Sequence, residues 1–163
     1  MEKNNEELKE FMLKEIDLIQ DIIKRMAYNS FLIKGWTVML VVGILLLRGP
    51  EKYQVFLALI PLIAFWYLDA YFLRQERLFR KLYDWVISHR LHTDERLFDM
   101  STDGRSDERF GKDVDSIWRT MFCNTKDKKT NTYKTNTLRW FYGSMAILVI
   151  IYLIYLLVLL IIN

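Results

Sequence analysis

The sequence predicts an all-α membrane protein with three transmembrane helices, the first two forming a hairpin extended into a cytoplasmic helical stalk. Three observations carry that expectation. From Trp140 to Asn163 the chain has no charged side chain, and about 20 apolar residues suffice to cross a hydrocarbon core of about 30 Å. Two further apolar runs, Phe31 to Leu47 and Tyr53 to Leu73, are separated only by the polar turn Arg48-Gly49-Pro50-Glu51-Lys52. Hydrophobic seams of coiled-coil spacing continue past both runs into charged sequence.

The first segment, residues 1–92, reads as the hairpin and its stalk. Met12, Ile16, Ile19, Ile23, Met26, Ser30 and Ile33 follow one another in steps of 4 and 3 without an intervening Pro or Gly, so Glu6 to Leu47 is expected as one long helix. On the descending arm Leu68, Phe72, Gln75, Phe79, Leu82, Val86 and His89 repeat the same steps. Apolar residues off these seams, Leu18 and Ile22 on one arm and Leu78 and Tyr83 on the other, are expected to face a second copy of the chain.

Each run is interrupted once by charge, at Lys34 and at Asp69, near the end away from the turn. An antiparallel hairpin brings these two residues close to each other, as it does Arg25 with Glu76 and Asp21 with Arg80, while Asp17 falls unfavourably opposite Asp84. The Lys34–Asp69 ion pair is the one expected to matter, because breaking a buried pair costs several kcal/mol and exposed pairs are worth about 0–1 kcal/mol. The alternative for Lys34 is snorkelling to the headgroups. Trp36, Trp66, Tyr67 and Tyr71 stand beside the two charges as an interfacial aromatic belt would.

Residues 93–137 form a polar loop region, with Gly104, Gly111 and the run TDGRSDERFGKD as its markers. Within it, Asp113 to Phe122 is a short amphipathic stretch with Asp113 as a possible cap and Val114, Ile117, Trp118, Met121 and Phe122 on one face. That face is expected to dock on the stalk, on the membrane surface or on a partner, with Ile117, Trp118, Met121 and Phe122 as the docking residues. The tract KDKKTNTYKTNT repeats KTNT around Tyr133 and reads as a basic, flexible linker or as a contact for lipid or an anionic ligand. Residues 138–163 are the C-terminal transmembrane helix.

Orientation follows from the basic residues, which stay on the cytoplasmic side. Of 23 Lys and Arg, 15 lie between Arg74 and Arg139 and five in the first 25 residues, against Arg48 and Lys52 in the turn and none at the C-terminus. The N-terminus and the central segment are therefore expected in the cytoplasm, and the turn and the C-terminus outside. No signal peptide is visible in the charged, amphipathic first 25 residues. The single Cys123 would be a free thiol.

Signs of catalysis are sparse. There is no Gly-rich phosphate loop, HExxH or GxSxG. His89 and His92 have Asp94 and Glu95 nearby but no second ligand pair, and Cys123 has lysines but no neighbouring His. The carboxylates of DERLFDMSTDGRSDERF sit in loop, a weak setting for a positioned acid and base. Neither an enzyme nor a cofactor is expected. One helical stripe suggests a conducting path instead. Ser30, Lys34, Thr37, Val41, Ile44 and Arg48 place charge at both mouths, a hydroxyl within and an apolar constriction at Val41 and Ile44. The competing reading is that this stripe packs against the second span.

The strings RMAYNSFLIKGW (Arg25 to Trp36), FWYLDAYFLRQERLFRKLYDWV (Phe65 to Val86), SIWRTMF (Ser116 to Phe122) and FYG (Phe141 to Gly143) resemble a group of small multi-pass bacterial membrane proteins associated with mobile elements and antiphage-defence neighbourhoods. The stretch LDAYFLRQERLFRKLYD is the most specific part, and KDKKTNTYKTNT reads as an insertion relative to the group. The resemblance implies a membrane effector role; the leading reading is an oligomeric effector that, on a cytoplasmic trigger, assembles or opens in a bacterial inner membrane and compromises its barrier. The resemblance supplies no catalytic residues. The alternative is a non-conducting scaffold or anchor that recruits a soluble protein. Expected partners are the lipid bilayer, a second copy of the chain, and a cytoplasmic defence protein or a small anionic signal; nucleic acid is not expected.

Overall fold

The computed structural model describes residues 2–47, 51–93, 95–102, 109–110, 116–122, 125–126, 133–134 and 137–162. The chain is all-α, with α1 (Glu2–Leu46), α2 (Glu51–His89), α3 (Ile117–Phe122) and α4 (Thr137–Ile162). A two-residue antiparallel pair, β1 (Thr125–Lys126) with β2 (Tyr133–Lys134), stands between α3 and α4. It brackets the basic tract, which has too little apolar character for its pairing to be read from pattern. Three helices, α1, α2 and α4, are long and apolar enough to cross a membrane.

The helices form where local chemistry favours them. Along α1 no Pro interrupts the run, and charged residues fill the face opposite the seam. Pro61 lies inside α2 and removes one backbone donor, a loss that spanning helices tolerate where neighbours cover the gap. The helix starts two residues before the expected span, inside the sequence read as a turn.

Two compact units emerge. One contains Met1–Asn29 and Phe72–Ser116, the other Ser30–Tyr71 and Ile117–Asn163. The region read from sequence as a single loop, residues 93–137, is thereby divided, its second part belonging with the apolar helices.

In the first unit the core is Ile19, Leu78, Phe79, Leu82, Val86 and Phe110, with Met12, Ile16, Ile22, Ile23, Tyr83, Trp85 and Met100 packed around it. The seams of both arms supply most of it. Three departures are informative. Leu78, expected to face a neighbour, is buried, and Ile22 and Tyr83 are half-covered, so of the four off-seam residues Leu18 alone stays well exposed. His89, expected on the seam, is exposed and its ring stacks on Trp85 at 5.2 Å, while Arg90 takes the inward position. The hairpin charges also pair differently: Asp21 bonds Lys24 and Glu76 bonds Arg80, each within its own helix. Helical neighbours three or four residues apart meet without ordering a second helix, so the local partner wins.

In the second unit the inward residues are Ile33, Thr37 and Val41 of α1, Val55, Ala58, Leu62, Asp69 and Ala70 of α2, and Leu138, Tyr142 and Val149 of α4. Ala58 and Ala70 are fully buried, the small residues that interfaces between spanning helices favour. Leu68, placed on the seam by its spacing, is exposed, because Asp69 turns inward instead.

Candidate functional site: a buried polar cluster among the apolar helices

Ser30 and Lys34 lie one turn apart on α1 and so share a face. Asp69 reaches that face from α2. Lys34 Nζ stands 2.6 Å from Asp69 Oδ2 and donates to Ser30 Oγ at 2.7 Å, and the Ser30 hydroxyl donates to Asp69 Oδ1. Asp69 is fully buried and the Lys34 side chain keeps 24% of its exposure. The Lys34 ammonium, with three N–H groups, serves both the Ser30 hydroxyl and the Asp69 carboxylate. This is a directed pair, which a lysine extended to the headgroups would not make.

The third helix closes the cluster. Tyr142 of α4 is buried, its hydroxyl donates to the Phe65 carbonyl at 3.2 Å, and the same hydroxyl stands beside Asp69 and Thr37. Thr37 donates back to the Ile33 carbonyl at 2.7 Å, the usual way a hydroxyl is satisfied inside an apolar helix. Charge, hydroxyls and phenol thus converge from three helices. Ionisable groups are costly among apolar helices and persist where they pair and serve a function.

The stripe read as a pore lining has a different place. Ser30, Thr37 and Val41 are buried in the packing of the protein's own helices, and Ile44 and Lys34 are partly covered. Arg48 lies outside the described residues. Among the described residues the stripe is an interior seam, with Asp69 of α2 and Tyr142 of α4 packed beside its polar members.

The docking residues of the amphipathic stretch also separate. α3 covers Ile117–Phe122, and Asp113 and Val114 lie outside the described residues. Met121 is buried with Thr120, Ile117 is half-covered, and Trp118 and Phe122 remain exposed. Met121 is thus part of the unit's interior and unavailable to a partner.

Sequence reasoning missed a second buried pair, in the first unit. Arg90 Nε and Nη2 donate to the two oxygens of Glu15 at 2.6 and 2.7 Å, with both side chains almost fully buried. The guanidinium also donates to the carbonyls of Thr93, Glu95 and Arg96, and the Phe98 amide donates to Glu15 at 3.0 Å. Arg96 and Phe98 hold left-handed backbone, with φ of 54° and 57°. Such conformations cost of order 1–3 kcal/mol and persist where surroundings enforce them, here by the grip of Arg90 and Glu15. The signal available was Glu15 itself, a charge beside the seam residue Ile16 on the inward side of α1.

Fold and cluster together define a class: an all-helical membrane protein of three spanning helices with a charged pair buried among them. Compared with known proteins, the chain matches no family model, no curated protein and no solved structure.

Proposed function

We propose that the protein is an oligomeric effector of a bacterial inner membrane, with its N-terminus in the cytoplasm and its C-terminus outside, which compromises the membrane barrier on a cytoplasmic trigger during antiphage defence. The observation that carries this reading is the Lys34–Asp69–Ser30 cluster, a charged group in the apolar unit on the same two helices that also supply the first unit. Intact, the pair joins α1 to α2; separated, it leaves two charges that need water. Release of the pair would hydrate the seam from Ser30 to Val41 and open the packing. The setting in defence rests on the resemblance of the Arg25–Trp36 and Phe65–Val86 strings and on nothing in the geometry.

A non-conducting anchor that recruits a soluble protein is the second reading, favoured by one observation: the polar seam is packed shut by the protein's own helices. Conductance separates the two. The full chain in planar bilayers or dye-loaded vesicles is expected to be quiet at rest and to conduct when Asp69→Lys sets two positive charges face to face. A folded Asp69→Lys protein that leaves the vesicles tight would favour the anchor.

A further inference from the structure

We propose that α3 is an interfacial membrane helix whose Trp118–Phe122 face is seated in the boundary between acyl chains and headgroups of a phospholipid bilayer, not on a soluble partner. The inference rests on the spanning helices alone and holds whether or not the protein conducts.

The position of one contact sets the depth of α3. α2 begins at Glu51, and about 20 residues of helix are needed to cross the hydrocarbon. The span on α2 therefore extends to the neighbourhood of Tyr71, which is also where the apolar unit ends on this helix. Trp66 lies inside that length. Phe122 of α3 packs edge-on against Trp66 with ring centroids 5.0 Å apart, and Trp66 stacks on Tyr142 of α4 at 5.9 Å. Trp118 stacks in turn on Phe122 at 6.1 Å with planes 9° apart. A continuous row of rings thus joins α3 to two spanning helices at a level inside the span, and the outer faces of those rings cannot meet bulk water.

The chemistry of the row suits the interface. Trp118 keeps 67% of its exposure and Phe122 48%, while Thr120, on the opposite side of α3, is buried, as is Met121 beside them. Trp140 of α4, beside the same level, is exposed as well. Tryptophan is enriched where an apolar ring and a polar N–H meet the two sides of a membrane boundary. Arg139 is exposed nearby, and neither α3 nor the first turn of α4 carries a carboxylate, so the surface suits contact with lipid phosphate.

Depth measurement tests this. Trp118→Cys in a Cys123→Ser background, nitroxide-labelled and reconstituted in phosphatidylethanolamine–phosphatidylglycerol vesicles, is compared with Ser88→Cys of the first unit and Ile151→Cys of α4. The label at 118 is expected to collide preferentially with dissolved oxygen over a water-soluble nickel chelate, as at 151. Equal access to the chelate at 118 and 88 would overturn the proposal and leave the face to a protein partner. A second measurement uses a milder variant. Trp118→Phe should remove emission that brominated lipids quench and aqueous iodide does not reach; removal of iodide-quenched emission instead would overturn it equally.

Discussion

Arg90 and Glu15, far apart in sequence, meet in two hydrogen bonds of 2.6 and 2.7 Å with hardly any solvent exposure on either side chain. A planar guanidinium fits both carboxylate oxygens at once, and its remaining N–H groups hold the chain that leaves α2. Removing either partner strands a buried charge. Glu15→Ala or Arg90→Ala is expected to destabilise the protein by about 3–5 kcal/mol, and Arg90→Lys to recover little, since a point charge cannot grip two oxygens and three carbonyls together. Thermal unfolding in detergent, with amide exchange over residues 95–98, reads both effects. Full rescue by lysine would contradict the geometry.

The Lys34–Asp69 pair gives a second test. Each single alanine variant is expected to cost several kcal/mol, and the charge swap, Lys34→Asp with Asp69→Lys, to recover part of it. Additive single losses, measured as thermal midpoints of the four proteins, would mean that the two residues act independently.

Tyr142 ties α4 to the hairpin through one hydroxyl. Tyr142→Phe keeps the stacked ring against Trp66 and loses the bond to the Phe65 carbonyl, an expected loss of about 0.5–1.5 kcal/mol. Tyr142→Ala removes the ring too and is expected to cost about 3–5 kcal/mol. Chemical unfolding of the two variants separates bond from packing.

Val41 is 2% exposed, whereas Ile151 of α4 is 56% exposed. Val41→Ser is therefore expected to lower stability by about 1–3 kcal/mol and Ile151→Ser to disturb internal packing little. Paired measurements of thermal midpoint and vesicle leak should show the Val41 variant less stable and tight at rest. Leak without loss of stability would instead put Val41 at a water-filled constriction.

Self-association is expected through the apolar residues that the first unit leaves uncovered, Leu13 and Leu18 on α1, Ile87 on α2 and Leu91 just beyond its end. Mass photometry in mild detergent should find more than one copy per particle. Leu18→Glu combined with Ile87→Glu should shift it toward the monomer, and an unchanged mass would place the contact elsewhere.

Much of this protein is written in its local sequence. Hydropathy sums along the chain, so the three spanning helices follow from composition over about 20 residues at a time and need no knowledge of neighbours. The seam from Met12 to Ile33 follows from helical period, and the short turn brings Lys34 and Asp69 to the same level because two antiparallel helices advance by the same rise per residue. Tertiary structure decided the rest. Period names a face but not what covers it, so the stripe of Ser30, Thr37 and Val41 reads equally as a channel wall or as an interior seam until Asp69 and Tyr142 close over it. Arg90 lies one residue beyond the expected seam, and its partner Glu15 is on the other arm, so only their meeting reveals a buried pair. α3 is too short for its pattern to name a surface, and the ring of Trp66 against Phe122 assigns it to the apolar helices.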